Sequence, residues 1–238
     1  MIRLALVLVL LASPALGQEL TLTMGEGGSF TTRTLQLLTV VTLLSLVPGL
    51  AVMLSCFPFI VTVLSILRQA IGLQAAPPNM LITTLALFLT YYVMDPVLTL
   101  AWEEAGRPFS EGRMPLEEAV PLALDPFRSF MIARLDPETF AAMADLRPNL
   151  AAGIGPEEAP LSVLLPSFLL SEIARAFQIG FLLFLPFMII DLVTAAILMS
   201  MGMMMVPPAI VSLPFKLAFF VAADGWSLVA SALVRGYG

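Results

Sequence analysis

The chain has 238 residues, of which 59% are hydrophobic and only 12% are charged, about half the charged share of soluble domains. This composition indicates a membrane protein, or a subunit whose apolar surface is covered by partners. A net charge of −6 without a basic cluster argues against nucleic-acid binding. The absence of histidine excludes imidazole ligands and His-activated nucleophiles, and the single cysteine, Cys56, excludes an intrachain disulfide.

The N-terminus has the pattern of a secretory signal peptide. A single positive charge, Arg3, precedes the apolar stretch Leu4–Ala12, which is too short to cross a bilayer. Ala15 and Gly17 supply the small residues of a cleavage site. We predict a signal peptide over residues 1–17 and a flexible polar segment over 18–34. The alternative is an amphipathic or membrane-anchoring N-terminus.

Two apolar runs follow and predict a first helical hairpin over residues 35–102. The run Leu35–Leu67 contains Pro48 and Pro58, so we expect a kinked helix or a helix followed by a re-entrant piece. The run Met80–Trp102 has the length of one membrane span.

Residues 103–160 are polar and rich in proline. They hold eleven of the seventeen acidic residues and five of the eleven basic ones. We predict short helices over Leu116–Leu124, Pro126–Arg134 and Pro137–Leu146. A signal peptide and two spans would make this helical region extracytoplasmic, which leaves Arg68 in the connector on the cytoplasmic side.

A second apolar hairpin is predicted over residues 161–238, from the runs Ile179–Met205 and Ala209–Val234. The predicted fold is therefore all-α, with four long apolar helices and a polar helical insert between the second and the third.

Ionisable residues in this hairpin are costly in a membrane, where a central charge costs about 3 kcal/mol on insertion scales. Glu172 could pair with Arg175, or the two could solvate a helix end. Alternatively, Glu172 or Asp191 could pair with Lys216 and join the third run to the fourth. A proton relay has less support, because the first two runs offer only Asp95 near one end.

Five methionines lie between residues 199 and 205. Met203, Met204 and Met205 are consecutive, so at about 100° per residue they cannot share one helix face. Gly202 before them and Pro207-Pro208 after them predict a turn between two helices. The thioethers either face lipid or fill the core, or they form an adaptable ring of apolar contacts.

Three long motifs identify a family. "PSFLLSEIARAFQIGF" (166–181), "FLPFMIIDLVTAAILMSMGMMMVPP" (184–208) and "SLPFKLAFFVAADGW" (212–226) resemble the signature region of the FliP family, the P-class export-gate proteins of flagellar type III secretion. The resemblance implies a non-enzymatic subunit of a helical pore complex, without a cofactor. It implies a homo-pentamer joined to Q-class and R-class subunits and other export-apparatus membrane proteins, through which unfolded proteins pass. The implied location is the bacterial inner membrane, in the flagellar basal body, with a periplasm-facing portion.

The resemblance also implies site residues. Met203, Met204 and Met205 match the family's pore gasket, and Glu172 and Lys216 match a charge pair between helices or subunits, with Asp191 as a further buried ionisable residue. Pro58 and Phe59 replace the family's usual threonine-arginine pair, and Ser167 replaces an alanine. The alternatives are the equivalent subunit of a virulence secretion system and, with less support, a small ion or solute transporter.

Overall fold

The computed structural model describes residues 52–237, apart from 74–76, 149, 151–152 and 204, and isolated helical positions between 34 and 49. The predicted signal peptide and nearly all of the segment 18–34 lie outside the described residues. Two compact units divide the chain, Met1–Val47 and Pro48–Gly238.

The second unit contains eight α-helices among its described residues. They are α1 Phe57–Ile71, α2 Asn79–Ala101, α3 Arg107–Ser110, α4 Leu116–Arg134, α5 Pro137–Asp145, α6 Leu161–Ser200, α7 Pro208–Ala222 and α8 Gly225–Arg235. A π-helical turn, Trp102–Gly106, joins α2 to α3. No strand occurs in the described part of the chain, and the predicted all-α class is confirmed.

Helix α1 lies at the centre of the fold. Its apolar positions form the main buried cluster, and it packs chiefly against α6 and α2. Pro58 stands in the first turn, where its missing N–H costs no helical hydrogen bond, so the helix begins there instead of kinking. With 15 residues, α1 is too short to cross a bilayer.

Helix α6 is longer than the sequence pattern predicts. The apolar run begins at Ile179, whereas the helix begins at Leu161 and has 40 residues. Its first part carries polar residues that are buried and satisfied within the helix: Ser167 Oγ donates to the Val163 carbonyl and Ser171 Oγ to that of Ser167, each at 2.8 Å. Local bonding of this kind allows hydroxyls to lie in a buried helix.

Among the described residues, two helical segments have the length and apolarity of membrane spans, Asn79–Ser110 and Leu161–Ser200. Helices α7 and α8 pass the same test only together, with a 61° bend where Asp224 adopts a φ of 47°. The protein itself buries only 22% and 17% of the apolar windows of the two long segments. Lipid or partner subunits must therefore cover most of their surface.

The polar insert packs as helices α4 and α5 against α6 and α2. Helix α4 continues through Pro121 and Pro126, so the prediction of two short helices there is wrong. Helix α5 begins at Pro137, where a helix is predicted, and Asp136 caps it by accepting the Thr139 N–H at 2.8 Å. The hydrogen bonds from the Thr139 hydroxyl and N–H lower the pKa of the Asp136 carboxyl.

Candidate functional site

The methionine-rich segment forms a defined turn at the end of α6. The Gly202 N–H donates to the Met199 carbonyl at 3.0 Å, and the Met203 N–H donates to the Leu198 carbonyl at 2.9 Å. Gly202 has a φ of 78°. This pair of bonds with a left-handed glycine is a Schellman motif, which satisfies the last carbonyls of a helix. Helix α7 then begins with Pro208 in its first turn, so the predicted turn between two helices is present.

The described methionines of this turn point away from the protein's own core. The exposed fractions are 59% for Met199, 62% for Met201, 41% for Met203 and 97% for Met205. Met204 lies outside the described residues. Exposure on this scale does not fit core filler at these positions, so these thioethers are available to lipid or to other chains.

A second feature is a buried cation on α7. Lys216 is only 5% exposed. Its Nζ donates to Asp191 Oδ2 at 2.6 Å and to the Ala70 carbonyl at 3.1 Å. Ser212 donates to the other Asp191 oxygen. The lysine thus joins α7 to α6 and to the end of α1.

A third feature is a buried anion on α6. Glu172 has no exposed surface. Its Oε1 lies 3.4 Å from the Arg134 Nε of α4, and its Oε2 accepts a hydrogen bond from the Tyr237 hydroxyl beyond α8. The Arg134 guanidinium also donates to the Gly236 carbonyl and lies 4.0 Å from the centre of the Tyr237 ring. This cluster joins the polar insert, α6 and the C-terminal segment.

The electrostatics of this cluster keep the phenol protonated. Burial raises the pKa of Tyr237, and the neighbouring Glu172 carboxylate raises it further. A neutral hydroxyl is the form that can donate to a carboxylate. The tyrosine ring also packs edge-on against Phe59.

The sequence-predicted charges therefore find different partners within the chain. Lys216 pairs with Asp191, one of the two partners that the sequence predicts for it, and not with Glu172. Glu172 pairs with Arg134 and not with Arg175, which is exposed. A Glu172–Lys216 contact between subunits stays a prediction. Sequence reasoning missed Arg134 and Tyr237, since both lie far from Glu172 along the chain and neither stands in an apolar run.

Comparisons with known proteins point to one family. The FliP family model matches residues 40–233. Three curated relatives share the description flagellar biosynthetic protein FliP. The protein from Caulobacter vibrioides is 44% identical over 238 residues, covering 98% of this chain and 88% of its own. That from Pectobacterium carotovorum is 45% identical over 212 residues, covering 89% and 82%. That from Bacillus subtilis is 41% identical over 207 residues, covering 86% and 92%.

Proposed function

The chain belongs to the FliP family, whose members are components of the flagellar export apparatus. We propose that it is a pore-forming subunit of the export gate. It passes unfolded flagellar proteins across the bacterial inner membrane. In this proposal, Met203, Met204 and Met205 of each subunit seal the closed channel. The role is structural, with no catalytic residue. The relatives are described as flagellar biosynthetic proteins, which favours the flagellar system over the virulence system.

The methionine turn carries the proposal. Met205 is 97% exposed, although it follows a helix whose end is fixed by a Schellman motif. A rigid base with soft, unbranched side chains at its tip suits a seal that must close on itself and deform around a passing chain. Side chains of a single subunit cannot close a pore, so the seal requires several copies.

The apolar helix faces support assembly. Helices α2 and α6 expose long apolar surfaces that a single copy leaves uncovered. We propose a homo-pentamer that joins Q-class and R-class subunits, with the polar insert on the periplasmic side.

The burial of the charged side chains determines which of them a neighbouring subunit could contact. Both Glu172 oxygens are occupied and the side chain is fully buried, so a neighbour could reach Glu172 only after the Arg134 cluster opened. The side chain of Asp191 is 38% exposed, whereas the side chain of its partner Lys216 is only 7% exposed. We therefore propose that Asp191, backed by Lys216, presents the charge that a neighbouring subunit meets.

The same pairing weakens the transporter alternative. Each of the two buried or half-buried carboxylates on α6 has its own cation and a hydroxyl donor. A relay group needs an oxygen that is free to exchange a proton with a neighbouring group, whereas the oxygens of both carboxylates are already held by partners within the chain.

Replacement of the methionines tests the seal. We expect Met203→Ala, Met204→Ala and Met205→Ala together to leave the assembly intact, as judged by its native mass. The closed channel should then leak small ions, measured as dye or ion efflux from proteoliposomes. Met80→Ala is the matched control, because Met80 is 80% exposed on α2, far along the chain from the turn. Efflux from the triple variant equal to that from wild type and Met80→Ala, with assembly intact, would refute the seal.

A further inference from the structure

Two charged residues of opposite sign lack a partner within the chain. Arg175 of α6 and Asp95 of α2 are exposed, and among the described residues neither side chain forms an ion pair or a hydrogen bond. Each stands in the half of its helix that is nearer the polar insert, because α2 ends at the insert and α6 begins after it. A guanidinium and a carboxylate bind through two parallel hydrogen bonds, so each residue could supply what the other lacks.

Asp95 lies on the outer face of α2. This helix buries one stripe of residues at four-residue spacing, which consists of Ile82, Ala86, Thr90 and Met94. Asp95 follows Ala86 by nine positions, so at about 100° per residue it stands on the opposite side of the helix. Leu81 and Phe88 precede it at seven-residue spacing and are 58% and 69% exposed. We name Leu81, Phe88 and Asp95 the α2 stripe.

Arg175 belongs to a matching stripe on α6. Leu182 and Ile189 follow it at seven-residue spacing, and each is 63% exposed. Gly180 faces α1, since a Cβ on it would stand 2.5 Å from Ile66 Cδ1. Leu182 comes two positions after Gly180, about 200° around the helix, so it faces away from α1. We name Arg175, Leu182 and Ile189 the α6 stripe.

Helices α2 and α6 both pack on α1 and run in opposite directions. Arg68, near the end of α1, donates to the side chain of the first residue of α2, so these two helices form an antiparallel hairpin. Ile66 of α1 packs against Gly180, and four residues later the Ala70 carbonyl binds the lysine that pairs with Asp191. α1 therefore runs parallel to α6, and α2 runs antiparallel to it.

The two stripes match each other in this orientation. Rotation about a pore axis that follows the helices leaves their directions unchanged, so α6 of one copy meets α2 of the next antiparallel. Placing Arg175 opposite Asp95 then sets Leu182 against Phe88, and the third positions of the two stripes meet in the same way. A seven-residue repeat keeps such a seam in contact along two packed helices.

The charges restrict what can cover these stripes. A partner that covered Arg175 or Asp95 without the opposite charge would leave a charge buried and unpaired, which is strongly unfavourable. A second copy of the chain brings the required charge to each stripe. The apolar positions then supply buried area, and the ion pair fixes the register.

We propose that α6 of one copy packs antiparallel against α2 of the next copy, with Arg175 paired to Asp95 of that copy. Each copy uses two different surfaces, so the contact is of the head-to-tail kind that builds rings and helical assemblies. The inference rests on the homo-pentamer of the proposed function and names the surfaces that build it, and it does not depend on the methionine seal.

Charge reversal tests the ion pair, with the pentamer measured by native mass over a dilution series of the full chain. Arg175→Asp or Asp95→Arg alone brings two like charges together, and each should raise the concentration needed for assembly by roughly tenfold or more. The double variant Arg175→Asp/Asp95→Arg restores an ion pair and should assemble like wild type. Arg147→Asp is the matched control, because Arg147 is an exposed arginine of the insert outside both stripes. It should leave assembly unchanged.

Both reversed residues are exposed in the single chain, so the variants should keep the stability of the fold. Assembly of either single variant at the wild-type concentration overturns the proposal. So does a double variant that assembles no better than the two single ones. In these outcomes wild type still forms the pentamer, so they refute the interface alone. A wild-type chain that forms no pentamer would refute the proposed function as well.

Engineered disulfides test the register independently of the charges. Leu182→Cys/Phe88→Cys should give covalent multimers on oxidation of the assembled protein. Leu182→Cys/Leu81→Cys is the control, since it moves one thiol by seven residues, about 10 Å along the helix, beyond the reach of a disulfide. Equal crosslinking of the two variants overturns the proposal. If a photocrosslinking group in place of Leu182 captures only a Q-class or R-class subunit, or only lipid, another partner covers α6 and the proposal is also overturned.

Discussion

The Arg134–Glu172 pair allows the sharpest test of the fold, because its burial does not depend on assembly. Glu172 is fully buried within one chain, and Arg134 has a side-chain exposure of 14%. Arg134→Met leaves the carboxylate with the Tyr237 hydroxyl alone. An uncompensated buried charge of this kind costs about 3–5 kcal/mol of unfolding free energy.

The reverse substitution should cost less. In Glu172→Gln the guanidinium keeps the Gly236 carbonyl and the face of the Tyr237 ring. We therefore expect a loss of about 2 kcal/mol, in line with the loss of one charge-assisted hydrogen bond. The double variant Arg134→Met/Glu172→Met removes both charges, and it should be more stable than Arg134→Met alone by about 2 kcal/mol.

The measurement is denaturant unfolding of the full chain in mixed micelles. Arg107→Met is the control, because it breaks an exposed pair with Glu111 and should leave the unfolding midpoint unchanged. If Arg134→Met matches wild type, or if the double variant is less stable than Arg134→Met, the cluster does not hold the insert to α6 as described.

Three further predictions follow from local geometry. Tyr237→Phe should reduce the loss of unfolding free energy at alkaline pH. Because the pKa of Tyr237 is raised in the folded protein, its contribution to stability is complete below pH 10 and falls above it by up to about 1.4 kcal/mol per pH unit. Identical dependence of stability on alkaline pH in the two proteins would contradict this. Gly180→Ala should lower the unfolding free energy by about 1–3 kcal/mol, because the new Cβ would stand 2.5 Å from Ile66 Cδ1. In thermal unfolding, adding Ile66→Val should recover part of this loss. An unchanged melting temperature in Gly180→Ala would disprove the close packing of α1 on α6. Gly202→Ala should lower the unfolding free energy by about 1–2 kcal/mol through the left-handed backbone alone, since open space surrounds the position. Gly202→Asn should lower it less. Equal losses for the two variants in chemical unfolding would count against the Schellman geometry.

The sequence predicts best the parts of the structure that depend on local chemistry. Apolar length locates α2 and the later part of α6, and Gly202 with Pro207-Pro208 locates the methionine turn. The helix at Pro137 follows from its proline and its aspartate cap. In each case the deciding interactions lie within a few residues of one another.

The sequence predicts less well whatever depends on distant residues. The beginning of α6 is missed because Ser167 and Ser171 look polar, although their hydroxyls bond within the helix. The partners of Glu172 are missed because Arg134 and Tyr237 are 38 and 65 residues away. Pro121 does not break α4, since proline removes only one helical bond and packing against α2 and α6 can offset that loss.

The native cysteine makes the central claim directly testable. Cys56 has no exposed surface, and burial raises its pKa to about 12. It therefore does not compete with an introduced thiol, because the thiolate is the reactive form. Met205→Cys would place a thiol on the side chain that is 97% exposed, and Met80→Cys would place one on an 80% exposed position of α2.

The deciding measurement is crosslinking of these two variants, in the assembled gate, to an export substrate stalled in the channel and carrying a single cysteine. The proposed function predicts a disulfide between the substrate and Met205→Cys, and none with Met80→Cys. Crosslinking at position 80 but not at position 205 would contradict the claim that exported chains pass the methionine turn.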